Sequence, residues 1–262
     1  MVINSDLRVR IVEMITKAKE GHIPSSFSIV DIINYLYEKV LHYNPQNPNW
    51  SERDYFVLSK GHGAAAMFAV FEKFKIIKKD DINNYSNSIG ILGGHPDSTI
   101  VPGAEASTGS LGHGFPFAVG IAMGLLIKKE INKVFCLVGD GECHEGTIWE
   151  SANIAANQKL DNLTVFVDWN GSAAQLMPTD DLENKWKSFG WNTITIDGHD
   201  NDKLENALQS LKNDHSKKPK VIISKNIKGK GVSFLEGHGM WHHKIPNQNE
   251  FDAIIKELNE KN

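Results

Sequence analysis

Two kinds of apolar pattern alternate along this chain. Residues 134–138 (VFCLV) and 163–167 (LTVFV) run on with almost no polar interruption, as strands of a parallel sheet buried on both faces do. Elsewhere the apolar positions recur at helical spacing. Leu7, Ile11, Met14, Ile15 and Ala18 mark one face of a helix over 5–20 that stops at Gly21. Ser28 stands where it would cap a second helix running through Val30, Ile33, Leu36 and Tyr37. Residues 63–74 and 115–130 read as mostly buried helices, the first rich in alanine and the second carrying glycines that permit close packing. Further strands are expected at 55–59, 191–196 and 220–224, helices at 182–189 and 201–211, and a polar surface helix at 251–258. Residues 93–114 form a breaker-rich loop. Such alternation predicts an α/β fold, a mostly parallel sheet with helices on both faces. No repeat, low-complexity tract or linker divides the pattern, so residues 1–262 are expected to form a single domain.

The segment 134–170 carries the most chemistry. Its first strand stops at Gly139-Asp140-Gly141, a helical stretch follows, and its second strand ends at Asp168-Trp169-Asn170. In a parallel strand–helix–strand unit, Asp140 and Asn170 then lie at the carboxyl ends of two strands, where open α/β sheets bind ligands. One anionic and one neutral oxygen ligand beside Gly139 and Gly141 suit a hard divalent cation holding a phosphate group. Taken alone, GDG reads more readily as a strand-ending turn; the Asn after a second strand shifts the balance toward a site.

With 40% apolar and 23% charged residues and a net charge of −4, the composition is that of an ordinary globular protein. No basic stripe argues for nucleic acid, and no apolar run approaches a bilayer span. The amino-terminal residues lack a continuous signal-peptide core. Two cysteines, Cys136 and Cys143, give no disulfide framework, which makes a reduced cytoplasm the expected location.

Five histidines stand in glycine-flanked or aromatic-flanked loops: His22, His62, His95, His113 and His242. Singly, each reads as a surface or satisfied-core residue. A zinc site is the competing chemistry, and it lacks HxxxH or CxxC spacing. The segments GHIPSSFS (21–28), LSKGHGAAA (58–66), GGHPD (93–97), EASTGSLGHGFPFAVGIA (105–122), GDG…N and KGKGVSF…WHH (228–243) occur in the order found in transketolases. The chain resembles the amino-terminal, diphosphate-binding part of that family, and its size resembles the small subunit of a split, two-chain transketolase.

That resemblance implies a thiamine diphosphate-binding fold, thiamine diphosphate as cofactor, and Mg2+ (or Ca2+ or Mn2+) as the metal. It implies Asp140, Asn170 and the carbonyl of Ser172 as metal ligands. His62, Gly109, Leu111, Gly139, Gly141, Asn170 and Lys228 would contact the cofactor, with Gly141 and the following helix start offering N–H groups to the diphosphate. His22, His95 and His242 would line the substrate funnel as catalytic residues, hydrogen-bonding the sugar and moving protons. The reaction implied is transfer of a two-carbon ketol unit from a ketose, sugar or sugar phosphate, to an aldose. In this family the glutamate that activates the aminopyrimidine lies in the pyrimidine-binding domain. The implied partner is therefore a carboxy-terminal transketolase subunit in an α2β2 assembly. Glu145 and Glu150 match acidic residues of the subunit contact, although an exposed helix face explains them as well.

The sequence also departs from the family. The stretch after Asn170, often LQIDG-like, reads GSAAQLMP (171–178), and the usual WHG is Trp241-His242-His243. Three alternatives stay open: a deoxyxylulose phosphate synthase-like fragment, the α chain of a 2-oxo acid dehydrogenase-like enzyme, and a non-catalytic regulatory subunit.

Overall fold

In the computed structural model, the strands β1 (Tyr55–Leu58), β2 (Val134–Gly139), β3 (Leu163–Trp169), β4 (Asn192–Asp197) and β5 (Lys220–Lys225) form one sheet. Their order is β1-β2-β3-β5-β4, and every neighbouring pair is parallel. The structure describes residues 4–178, 181–237, 239 and 241–260, so the outermost residues of the expected 1–262 domain lie outside it. Before β2 come α1 (Ser5–Ala18), α2 (Ile23–Phe27), α3 (Val30–Tyr35), α4 (Ala64–Lys73), α5 (Lys79–Asn83) and α6 (Gly114–Lys128). After it come α7 (Gly146–Asn157), α8 (Leu182–Ser188), α9 (Asn201–Lys212) and α10 (Gln248–Asn259).

The alternation of side chains along each strand divides the core in two. Phe135, Leu137, Phe166 and Ile222 pack with α1, α3, α4, α9 and α10 on one face. Val134, Cys136, Val138, Val165, Val167 and Ile223 pack with α6, α7 and α8 on the other. Helices cover both faces, which is why the inner strands β2, β3 and β5 show little polar alternation, whereas the edge strand β4 (NTITID) does alternate. Among the described residues no helix is long and apolar enough to cross a membrane.

Three local features differ from the expectation. Ser28 does not cap a helix: it closes α2, and its hydroxyl donates to the Ser25 carbonyl at 2.9 Å and to Asp168 at 2.8 Å. The helices α2 and α5 carry no sequence signal, because five residues give no readable period. The closing helix is not simply a polar surface element. Ile254 and Leu258, four apart, are fully buried against the main core, while Asn247 and Glu250 form a capping box at its start.

A closed charge network ties the amino-terminal helices to the segment after β5. Buried Arg8 donates to both carboxylate oxygens of Asp31, at 2.9 and 2.7 Å, and to the Lys230 carbonyl at 2.7 Å. His199 meets Asp31 through Nδ1 at 2.9 Å, while its Nε2 accepts the Ile227 N–H at 3.0 Å. The proton of His199 therefore sits on Nδ1. Burial opposes the Asp31 charge, yet the bonds from Arg8 and His199 hold its carboxyl far below the ordinary value. This network sets the path of residues 227–230, and with it the position of Lys228.

Candidate active site at the carboxyl ends of the strands

Register brings the candidate ligands together. Gly139 pairs with Asp168, and Asp168 with Ser224, so the chain leaves β2, β3 and β5 in one row. Asp168 is fully buried and fully engaged. Its Oδ2 accepts from the Lys60 ammonium, from Ser28 Oγ at 2.8 Å and from Asn170 Nδ2 at 2.8 Å; its Oδ1 accepts from Asn226 Nδ2 at 2.6 Å. Asp140 is buried too, but only half engaged. Its Oδ1 accepts the Gly141 N–H at 2.8 Å, whereas Oδ2 has no hydrogen-bond partner. Burial, and then the charge of Asp168, push the Asp140 carboxyl up. Next to it, Asn170 turns its Oδ1 to the Ser172 N–H at 2.9 Å.

A buried carboxylate with an orphaned oxygen, beside a second carboxylate, has the electrostatics of a cation site. Among the described residues no group of three or more His, Cys, Asp or Glu is placed to hold a metal ion. The open carboxylate oxygen of Asp140 and the amide oxygen of Asn170 are instead hard oxygen donors of the kind that suit a hard divalent cation. A Cβ placed on Gly139 or Gly141 would make only ordinary contacts, with Lys60 and Ala173. The fold itself makes no steric demand for glycine there, so the space they leave is available to a ligand. The Gly141 N–H is turned to Asp140, and a 3₁₀ turn over Gly141–His144 precedes α7.

Above this row the histidines converge. The His22 ring lies 5.5 Å from His62, 5.4 Å from His242 and 4.5 Å from His243, centroid to centroid. Burial, helped by His243, His242, His95 and Lys60, lowers the His22 pKa to about 4. Burial and the Lys60 charge push His62 well down, and burial and the Lys228 charge lower His242. At neutral pH these imidazoles are uncharged, so each offers one donor and one acceptor. Lys228 donates to Ser172 Oγ at 2.7 Å and meets His242 Nδ1 at 2.8 Å. Since an ammonium only donates, Nδ1 is the acceptor and Nε2 of His242 carries the proton. His243 also faces Glu20, at 3.6 Å.

The loop 108–114 completes the wall. A Cβ on Gly61 would come within 2.6 Å of the Gly109 nitrogen, and Gly109, at φ +149°, lies against the His95 ring. Only glycines let these two loops approach so closely. Glu142 holds the arrangement: it accepts from Ser59 Oγ at 2.5 Å, from the Gly112 N–H at 2.9 Å and from the Gly139 N–H at 3.1 Å. Leu111 is partly exposed, and its carbonyl meets His113 Nδ1 at 2.9 Å. Glu145 and Glu150 are exposed at the start of α7, and the Glu145 side chain lies against Gly112. Sequence reasoning missed Lys60, Asp168 and Glu142 as parts of the site. Each adjoins a motif that it did read (SKGHG, DWN and GDGE), but its function as a buried bridge between loops is visible only in space.

A parallel α/β sheet with an open carboxylate, glycines and clustered imidazoles at its strand carboxyl ends has the layout in which open α/β folds bind ligands. Comparison with known proteins narrows this. The family model described as the thiamine diphosphate binding domain of transketolase matches residues 2–259, and the chain belongs to the transketolase family. Over 261 residues it is 36% identical to one of the subunits of the apulose-4-phosphate transketolase of Phocaeicola vulgatus, covering 97% of this chain and 92% of that one. It is 37% identical over 260 residues to the 6-deoxy-6-sulfo-D-fructose transketolase subunit SqwG of a Clostridium species, covering 96% and 93%. Human transketolase is 34% identical over 261 residues, with 96% of this chain but only 41% of the human protein covered. The transketolase structure from Campylobacter jejuni superposes with a TM-score of 0.84 at 26% identity, over 99% of this chain and 46% of that one.

Proposed function

We propose that this chain is the diphosphate-binding subunit of a two-chain, magnesium- and thiamine diphosphate-dependent transketolase that moves a two-carbon ketol unit from a ketose to an aldose. The observation that carries the reading is the pairing of Asp140, with its unpartnered buried oxygen, and the neutral histidine cluster above it. Asp140, Asn170 and the Ser172 carbonyl hold the cation; Gly139, Gly141, His62 and Lys228 face the diphosphate; Gly109 and Leu111 lie against the ring. When bound, thiamine diphosphate supplies the nucleophilic carbon and the electron sink that carbon–carbon cleavage of a ketose requires.

The chain's own residues orient the sugar and move its protons. His22, kept neutral by burial and its neighbours, serves as a hydrogen-bonding group with one donor and one acceptor. His242 presents its Nε2–H as a donor because Lys228 occupies Nδ1. His95, set against Gly109, completes the funnel with an exposed ring. Lys60 neutralises Asp168, which leaves the charge of Lys228 to favour an anion. The relatives covered over nine-tenths of their length are named as subunits of apulose-4-phosphate and 6-deoxy-6-sulfo-D-fructose transketolases, which supports an unusual sugar as substrate.

A partner follows from both the relatives and the surface. The relatives covered over nine-tenths of their length are named as transketolase subunits. The α6–α7 side exposes Phe117, Leu126, Ile127 and Ile154, with open space over Gly120 and Gly124. A row of large apolar side chains beside glycines suits a close protein contact. Glu145 and Glu150 border the same side, and closed symmetry favours an α2β2 assembly in the cytoplasm. The test is a ketol-transfer assay on the chain alone and mixed with a pyrimidine-binding chain. Activity is expected only in the mixture; full turnover by the purified chain alone refutes the two-chain reading.

A further inference from the structure

Two carboxylates follow the end of β2, and only one of them is open. The Gly141 N–H turns back to Asp140, whose second oxygen stays without a partner. The Gly139 N–H turns instead to Glu142, at 3.1 Å. Glu142 is 1% exposed, and both of its oxygens are taken. Its Oε1 accepts from Ser59 Oγ at 2.5 Å and from the Gly112 N–H at 2.9 Å, while Oε2 accepts from Gly139. These donors come from the loop after β1, the loop 108–114 before α6, and the end of β2 itself.

The loop 108–114 is held on both sides of Gly109 and Leu111. On one side, Thr108 Oγ1 donates to the Leu58 carbonyl at 2.7 Å. On the other, both polar groups of Gly112 are fixed: Glu142 takes the N–H, and Thr147 Oγ1 donates to the carbonyl at 2.8 Å. A Cβ on Gly112 would come within 2.4 Å of Thr147 Oγ1, so this contact is already close. Ser59 extends the chain of bonds to the start of α6, where its hydroxyl accepts the Phe115 N–H at 2.9 Å. The tie through Glu142 runs directly from the loop to Gly139, next to Asp140. Its chemistry is fixed by its donors. A serine hydroxyl can rotate, but the Gly112 and Gly139 N–H groups cannot, and both point at this side chain. A carboxylate accepts from both, whereas an amide in its place would set its own N–H against one of them.

We infer that Glu142 is a positioning residue for the cofactor: its carboxylate sets the Gly109–Leu111 wall relative to the Asp140 row, so that the ring end and the diphosphate end of one ligand are met together. The inference rests on the proposed reading of the site. Glu142 acts through Gly112 and Gly139, the two backbone groups that it joins. Cutting the bridge should therefore remove affinity contributed by the ring and spare affinity contributed by the diphosphate and its cation.

The test compares thiamine diphosphate with inorganic diphosphate, each with magnesium, by calorimetry on the chain mixed with its pyrimidine-binding partner. Glu142→Gln cuts the bridge at one end whichever way its amide turns. It should weaken thiamine diphosphate roughly ten- to a hundredfold, the effect of losing a hydrogen bond to a charged group, and inorganic diphosphate by less than about twofold. Glu142→Asp keeps both acceptors on a shorter stem and should fall between the Gln variant and wild type. Hydrogen exchange on the full chain gives a readout without any ligand. There the Gly112 amide should exchange faster in Glu142→Gln, while the amides of β3 keep their protection. Should the Gln variant fail to fold, Glu142→Asp carries both measurements. Unchanged affinity for thiamine diphosphate, equal losses for the two ligands, or an unchanged Gly112 exchange rate would overturn the inference and leave the cofactor reading standing. A wild-type complex that binds neither ligand would refute the cofactor reading, and the inference with it.

Discussion

Two buried carboxylates, Asp31 and Asp140, belong to the same fold and have opposite environments. Around Asp31 both oxygens have partners, since Arg8 and His199 supply donors and each of these is itself satisfied elsewhere. Around Asp140 one oxygen is left without a partner, and the charge of Asp168 adds to burial against its ionised form. The carboxyl of the first is held far down, that of the second pushed up. A closed cluster fastens one segment to another. An open one is built at the expense of stability and makes sense only with something to fill it.

The sharpest way to break this contrast is to remove each carboxylate. Asp140→Ala should abolish magnesium-dependent binding of thiamine diphosphate in the complex with a partner chain while leaving the fold intact, as calorimetry and circular dichroism would show. Unchanged cofactor affinity in a folded variant would sink the assignment. Next in size, His95→Ala and His242→Ala should lower ketol turnover by about 10²–10⁴ with much smaller changes in cofactor affinity. Loss of cofactor with normal turnover at saturation would mean that the funnel is wrongly placed.

Asp31→Ala should behave in the opposite way to Asp140→Ala, costing about 3–5 kcal/mol because it strands the buried Arg8 charge. Urea unfolding measures this, and a loss near zero would show that the network is not closed. The pH dependence should separate the two acids further. Asp31, with its pKa depressed, adds stability that is present above its ordinary value of 3.8 and lost as pH falls below it. Asp140, with its pKa raised, does the reverse: without a cation the fold loses stability as pH climbs above 3.8, and Asp140→Asn should remove that loss. His22, lowered to about 4, contributes stability that fades as pH falls from 6.5 toward 4. The smallest effect concerns its neighbour. In an NMR titration His243→Ala should move the His22 pKa up by a fraction of a unit, because after burial the His243 charge is the largest cause of its depression. No movement would mean that the two rings are not in contact.

Much of the fold and the site is legible in the chain. The unbroken runs at 134–138 and 163–167, the helical spacing of 5–20 and the placement of Gly139-Asp140-Gly141 and Asn170 depend on local pattern, and local pattern survives folding. So do the order of the histidine loops and the family they resemble, which the family match supports over residues 2–259. Other features depend on distance in space between residues remote in sequence. Ser28 has the local signature of a helix cap, but 140 residues later the chain returns Asp168 to within 2.8 Å to take its hydrogen, and the Lys60 ammonium, 3.1 Å away, donates to the oxygen that a local backbone N–H would have used. Lys60 lies inside the segment 58–66, but nothing local shows what it, Glu142 or Asn226 bridges; the sheet order β1-β2-β3-β5-β4 brings their loops together. The exposure of one side of α6 follows from which helix covers which face. The linear sequence determined where elements and candidate ligands lie, because periodicity and turn chemistry act over a few residues. Only the tertiary structure decided which buried charges are closed and which are open, because a hydrogen bond is made by proximity in space.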